Sequence, residues 1–136
     1  MSNVLRAIGP VISIIIMNSI GSYVSAREAG LACPDWPLCP FPDNELVLLE
    51  FTHRAFAIVV LVTIVAALVS AFRIGGTIKK LAFTGLTLFL IQIVLGGVMV
   101  LLALRPELVA IHMAAASSVL AVFSMLAIMM IRGGDK

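Results

Sequence analysis

Charged side chains are scarce in this sequence of 136 residues. Aspartate, glutamate, lysine and arginine together make up 12% of it, whereas 62% is hydrophobic and the mean hydropathy is +1.18. A water-soluble domain of this composition would lack the polar side chains that it needs to cover its surface. The composition therefore excludes an ordinary soluble fold. It indicates an integral membrane protein, and the length fits a single domain over residues 1–136.

Several signatures of function are also absent. The sequence has no glycine-rich phosphate-binding loop, no pattern of a serine triad and no basic stripe. The formal net charge is only +2, and the few basic residues lie between apolar runs, where they usually determine membrane topology. We therefore expect no nucleic acid as a partner. The partner that the composition implies is a lipid bilayer.

Cysteine is nearly absent, with two residues in one short polar segment. Cys33 and Cys39 are separated by five residues, so they do not form the C-x-x-C pattern of thioredoxin-type proteins. A zinc site would need two further ligands that this segment lacks. We predict a disulfide between them. The spacing does not distinguish a structural disulfide from a redox-active one.

Four apolar runs are each long enough to cross a bilayer as a helix. They predict an all-α integral membrane protein with a four-transmembrane-helix up-down bundle. A signal peptide is an alternative for the first run, because Arg6 precedes it, but three more runs follow. The predicted spans and the polar loop between the first two are residues 4–25, 45–72, 81–104, 108–131 and 27–44.

The distribution of charge predicts the orientation of the bundle. The turn 73–80 carries three basic residues and no acidic one, whereas the loop 27–44 carries one basic and three acidic residues. Basic residues concentrate on the cytoplasmic side of membrane proteins. We therefore predict a multi-pass protein of the cell membrane with cytoplasmic N and C termini. The cysteine loop is then extracytoplasmic, where a disulfide persists.

His53 and His112 are the only two histidines, and each lies near the outer end of a helix that runs inward. Both are about 6 to 12 Å below the start of their helices, at a rise of 1.5 Å per residue. In an up-down bundle the second and fourth helices are diagonal, so both imidazoles would face the centre. Two inward histidines at one level suit the axial positions of a haem iron. The alternative is an interfacial histidine hydrogen-bonded to a neighbouring helix.

Four other polar residues accompany this pair. Glu50 lies on the same face of the second helix as His53, as a proton relay, an electrostatic stabiliser or a group that orients an imidazole. Arg54 and Arg105 would pair with haem propionates or extend to lipid headgroups. Gln92 would line the cavity or join two helices. A faint repeat also relates Gly21-x-x-Val24 to Gly97-x-x-Val100, each followed by a helix with one histidine.

These residues occur in motifs that resemble those of the haem A synthase family. The matching stretches are Ala29-Gly30-Leu31-x-Cys33-Pro34-Asp35-Trp36-Pro37-x-Cys39, Glu50-x-x-His53-Arg54, Gln92-Ile93-x-Leu95-Gly96-Gly97 and His112. Members of that family are usually built from eight membrane helices, as two similar halves of four. This chain resembles the N-terminal half.

The resemblance implies an oxidoreductase that converts the C8 methyl group of haem O to a formyl group. By the same resemblance, His53 and His112 would be haem ligands, Glu50 the catalytic carboxylate, and Cys33 with Cys39 the extracellular pair. The haem O-producing enzyme would be a partner. A full-length member holds a haem b cofactor on a second histidine pair, which this chain lacks. Either two or more copies assemble, or a single site serves both needs; we expect a homo-oligomer.

Two alternatives to a haem A synthase remain at this level. A b-type cytochrome for electron transfer, or a haem-binding membrane subunit, would use the same two histidines. It would have no use for Glu50 or for the cysteine loop. A quinone-linked thiol oxidase would use the cysteines as its working groups, although it would normally need a C-x-x-C pair and a second cysteine pair.

Overall fold

The computed structural model describes residues 2–33, 35–39 and 41–133, and within these ranges the regular secondary structure is entirely helical. This confirms the predicted all-α fold with membrane-spanning helices. Each helix is long and apolar enough to cross a membrane. The helices are α1 (Ser2–Ala26), α2 (Glu45–Ile74), α3 (Gly76–Leu101) and α4 (Pro106–Gly133).

The helices pack as a ring in which each contacts its two neighbours. α1 packs against α2 and α4, and α3 packs against the same two helices, so α2 and α4 are diagonal. The outer faces carry large apolar side chains that remain exposed, such as Leu5, Ile58 and Val94. Only a lipid bilayer can cover such a surface around all four helices. The chain is therefore a multi-pass membrane protein. Which membrane it occupies and how it is oriented there stay predictions.

The tightly packed core lies in the half of the bundle away from the cysteine loop. Val60, Ile64, Phe123 and Leu126 are almost fully buried there. Gly85 lets α3 approach α4 closely, because a Cβ atom at this position would lie 2.8 Å from the Phe123 ring. This half is therefore the densely packed part of the bundle.

The turn predicted at residues 73–80 is present at Gly75, but its predicted extent is wrong. Only Gly75, at a positive φ of 82°, separates α2 from α3, and Gly76 at φ 54° already begins α3. The basic residues of this segment are good helix formers, and their chains extend along the helix surface; Lys79, for example, lies over the Phe72 ring at 4.5 Å. Basic charge therefore marks the end of the span here without requiring a loop.

The opposite connections are longer and differ from each other. α3 ends at Leu101, earlier than predicted, and the turn to α4 holds Ala103 and Leu104 at positive φ values of 53° and 54°. The α1–α2 loop ends at Asn44, whose side chain caps α2 by accepting hydrogen bonds from two backbone N–H groups. Arg27 bridges the ends of this loop. Its hydrogen bond to the Glu45 carboxylate, with a second to the hydroxyl of Tyr23, raises the pKa of Arg27.

Candidate functional site

A cavity of about 780 Å³ occupies the half of the bundle beside the cysteine loop. All four helices and the loop contribute to its lining. Its floor is apolar where it meets the core, and its outer end lies beneath the loop. The floor consists of Ile14, Val60, Phe89 and Val119.

His53 and His112 both line this cavity. Because α2 and α4 are diagonal, the two imidazoles reach it from opposite corners of the bundle. The Nδ1 atom of each ring is buried and has no hydrogen-bond partner within the described part of the chain. Because Nδ1 is buried in both rings, Nε2 is the better placed nitrogen of each ring to bind a ligand.

Each imidazole packs against a glycine of the preceding helix. A Cβ atom added at Gly21 would lie 2.8 Å from Cε1 of His53, and one added at Gly96 would lie 3.3 Å from Cε1 of His112. The repeat in the sequence therefore relates Gly21 to Gly96, not to Gly97 as the Gly-x-x-Val pattern predicted. Gly97 has another role, since a Cβ atom there would lie 2.5 Å from the Trp36 ring.

Glu50 is buried at 3% exposure, and both of its carboxylate oxygens are hydrogen-bonded. Oε2 accepts a hydrogen bond of 2.7 Å from the backbone N–H of Cys33, and Oε1 accepts one from Arg54. The carboxylate thus connects α2 to the cysteine loop. A buried charge needs such partners, and here the protein supplies all of them.

Arg54 completes this connection. Its guanidinium donates to the carbonyl oxygens of Cys33 at 2.8 Å and Leu38 at 2.9 Å, and to that of Asp35. With the bond to Glu50, all four terminal N–H groups of the fork are in use. We call Glu50, Arg54 and these three carbonyl groups the loop clamp. These partners explain the position of the Arg54 guanidinium without a pairing to a haem propionate.

The loop held by the clamp covers the outer end of the cavity. The sulfur atoms of Cys33 and Cys39 are bonded, with their Cα atoms 5.1 Å apart. The Trp36 ring packs on Gly97 of α3 and also lines the cavity. The loop is therefore a lid that joins α2 to α3.

Two further predicted residues lie in different places. Arg105 is exposed in the α3–α4 turn, 3.6 Å from Glu107, and does not line the cavity. Gln92 does line it, and its Nε2 atom donates to the carbonyl oxygen of His112 at 2.9 Å. Both alternatives for Gln92 thus hold. Its Oε1 atom is buried without a hydrogen-bond partner in the described part of the chain.

Three cavity residues were missed in the sequence. Asn18, Ser22 and Ser25 lie on one face of α1 and line the cavity. Their spacing of four and three residues within an apolar helix is the signal that would have identified them.

The described residues contain no group of three or more His, Cys, Asp or Glu side chains that would hold a metal ion. The two imidazoles are thus too few for a protein-only metal site. They are enough for an iron whose other four ligands come from a macrocycle.

No family model matches the chain. Over 83 residues it is 34% identical to a curated protoheme IX farnesyltransferase of Haloarcula marismortui. The matched segment covers 57% of this chain and 18% of that protein. By its name that relative transfers a farnesyl group to protohaem IX, which is the reaction of a prenyltransferase and not of an oxidoreductase.

The haem A synthase prediction is therefore wrong. The oxidation of haem O, the oxidoreductase class and the role in haem A formation are withdrawn with it. The physical reason is that the matching motifs specify an architecture. Glu50 and Arg54 hold a disulfide loop over a cavity between histidines, and such an architecture does not determine which reaction takes place there. The catalytic role predicted for Glu50 belonged to that oxidation and has no reaction to serve without it.

Proposed function

We propose that this chain is a haem-binding membrane module that holds a protohaem-type macrocycle between His53 and His112 and presents it for farnesylation. The observation that carries this proposal is the pair of imidazoles that line one cavity from diagonal helices. The role in farnesylation rests on the likeness to the farnesyltransferase.

The donor set of the cavity fits a haem. Two nitrogen ligands on opposite sides complete the coordination of an iron in a tetrapyrrole. The volume of about 780 Å³ lies within the range of cofactor sites, and its apolar floor suits a macrocycle. When bound, the haem would supply an iron that both imidazoles can bind and an apolar ring that carries reactive vinyl groups.

The residues of the chain would hold and shield this group. His53 and His112 would supply Nε2 atoms to the iron, while Gly21 and Gly96 leave room for their rings. The loop clamp holds the lid over the outer end of the cavity. No catalytic side chain is needed for this role.

Farnesyl transfer is assigned to a separate partner, the haem O-producing enzyme. The chain spans 18% of the length of its relative, so most of that protein has no counterpart in the match. A prenyl diphosphate is usually bound through Mg²⁺ and several carboxylates. Among the described residues the acidic ones that line the cavity are Glu28 and Glu50, and Glu50 is already paired with Arg54.

A haem titration of the detergent-purified protein tests the proposal. Trp36 is the only tryptophan and lines the cavity, so bound haem should quench its fluorescence. We expect one haem per chain with a six-coordinate, low-spin spectrum. His53→Ala and His112→Ala should each lose this spectrum, whereas Met125→Ala, on the exposed face of α4, should keep it. An unchanged spectrum in both histidine variants would contradict the site.

The role in farnesylation needs a second assay, with farnesyl diphosphate and Mg²⁺ added to the haem-loaded protein. We expect farnesylated haem only when a protohaem farnesyltransferase is also present, and at a higher rate than with free haem. Conversion by this chain alone would make it the prenyltransferase itself. No acceleration of the partner would remove the presenting role and leave haem binding alone.

The orientation, the cell membrane and a homo-oligomeric state also belong to this proposal. The charge distribution supports an extracytoplasmic lid. A membrane-impermeant thiol reagent, applied to intact cells after reduction, should label Cys33 and Cys39. Labelling only after lysis would reverse the orientation.

A further inference from the structure

The cavity has two walls between its histidines, and these walls differ in polarity. Gly21 of α1 and Gly96 of α3 each pack against an imidazole, so these two glycines occupy equivalent positions in the two halves of the bundle. Counted from these glycines, Asn18 corresponds to Ile93, and Ser25 corresponds to Val100. All four residues of these two pairs line the cavity. Polar residues thus lie on α1 where apolar ones lie on α3.

The polar groups of the α1 wall are not used by the protein. Asn18, Ser22 and Ser25 make no side-chain hydrogen bond within the described part of the chain. In contrast, the hydroxyl groups of Ser19 and Ser117 donate to the carbonyl oxygens four residues earlier in their own helices, at 2.9 and 3.0 Å. Polar groups in a membrane helix normally find such partners, because lipid offers none. The unused groups of α1 are therefore available to a ligand.

The α3 wall offers little to a polar ligand. Ile93, Met99 and Val100 are apolar, and Gln92 already donates its amide N–H to the carbonyl oxygen of His112. A macrocycle held between His53 of α2 and His112 of α4 would have edges toward α1 and α3. One edge would then meet hydrogen-bonding groups and the other would meet hydrocarbon.

We propose that the cavity binds its tetrapyrrole in one rotational orientation, with the propionate edge along Asn18, Ser22 and Ser25 and the vinyl- or prenyl-bearing edge along α3. This inference rests on the proposed haem-binding function. The ligand class is a tetrapyrrole with free carboxylates on one edge. The three side chains of the α1 wall determine which way round it binds.

The charges around the wall are compatible with this orientation. Glu50 and Arg54 neutralise each other, and Glu28 is exposed at the outer rim, where water screens its charge. The carbonyl end of α1 would repel an anion. However, the carbonyl oxygens of Tyr23, Val24 and Ser25 already accept backbone hydrogen bonds from residues 27–29. Ser25 is one residue from the end of α1, so carboxylates beside it reach the membrane interface.

The test compares protohaem with its dimethyl ester, in which both propionates are blocked. Binding is followed by quenching of Trp36 and by the haem spectrum. The wild-type protein should bind the ester about tenfold more weakly, since hydrogen bonds to a charged carboxylate are stronger than those to a neutral group. The double variant Asn18→Ile, Ser25→Val should bind both forms within about twofold of each other. These substitutions place on α1 the residues that α3 carries. Both side chains become larger, so a simple loss of space would weaken the binding of the acid and of the ester alike.

A swapped variant separates recognition from a structural effect. Adding Ile93→Asn and Val100→Ser to the double variant moves the polar wall to α3. The preference for the free acid should return, with the macrocycle turned by half a rotation. An equal preference for acid and ester in the wild-type protein, or an undiminished preference for the acid in the double variant, would overturn the inference. Failure of both haems to bind with histidine ligation would instead overturn the haem-binding function.

Discussion

The α1–α2 half and the α3–α4 half of this bundle hold their histidines in the same way but differ in what they contribute to the cover of the cavity. Each half places one imidazole against a glycine of its first helix. Only the first half adds a disulfide lid and the loop clamp. At the positions of Glu50 and Arg54, relative to the histidine, the second half has Val109 and Met113. The cavity is thus a shared feature of both halves, whereas its cover belongs to one.

The clamp is where the two halves differ most in stability. Glu50→Ala would leave the largely buried Arg54 charge without its carboxylate and the Cys33 N–H group without an acceptor. We expect a loss of about 3 to 5 kcal/mol in the free energy of unfolding, as for other broken buried pairs. Thermal unfolding in detergent and proteolysis of the loop would measure it. Val109→Ala is the matched control and should cost less than half as much; equal losses would deny the clamp its role.

The glycine contacts test whether the histidine sites are equivalent. Gly21→Ala brings a Cβ atom to 2.8 Å from the His53 ring, whereas Gly96→Ala brings one to 3.3 Å from that of His112. Overpacking of this kind costs about 1 to 3 kcal/mol, and the closer contact should cost more. We therefore expect Gly21→Ala to weaken haem binding more strongly in a titration.

Gly9→Ala provides the control for this comparison. It lies on the same helix as Gly21, but its added Cβ atom would meet Thr63 at an ordinary 3.7 Å. Haem affinity should stay at the wild-type value. If Gly96→Ala weakened binding more than Gly21→Ala, the two contacts would not have the geometry described above.

The lid contact on α3 should have a moderate effect. Gly97→Ala would place a Cβ atom 2.5 Å from the Trp36 ring and displace the indole from α3. We expect a red shift of the tryptophan emission and a loss of about 1 to 2 kcal/mol in stability. An unshifted emission maximum would mean that the lid does not rest on Gly97.

The smallest effect is expected at Gln92, whose equivalent in the first half is Met17. Gln92→Met removes the hydrogen bond to the His112 carbonyl oxygen and also removes the unpartnered Oε1 atom. These two changes oppose each other, so the net change in stability should be about 1 kcal/mol or less. Thermal unfolding would measure it. A larger loss would show that Gln92 holds α3 to α4.

The sequence predicted the fold well because the fold depends on apolar length. Four long hydrocarbon-facing runs leave few choices other than four membrane helices, and the loop between the first two stands out by its prolines and charges. The error at residues 73–80 came from treating basic residues as a loop. Their side chains reach the membrane interface as those of a loop would, while the backbone is helical on both sides of Gly75.

The site was predicted in its parts but not in its connections. His53 and His112 were assigned to one central place, and both line the cavity. The use of Arg54 by three loop carbonyls depends on the path of an irregular loop, which no helical or strand period encodes. The prediction from the motifs was wrong about the reaction. Residues that hold a lid over a cavity can serve several chemistries.

The most direct test of the account is the electron paramagnetic resonance spectrum of the protein reconstituted with ferric protohaem. We expect a low-spin signal from two imidazole ligands in the wild-type protein. The single variants His53→Ala and His112→Ala should each show a high-spin, five-coordinate signal instead. A wild-type protein that binds no haem, or a low-spin signal that survives in both variants, would contradict the assignment of this cavity to a haem.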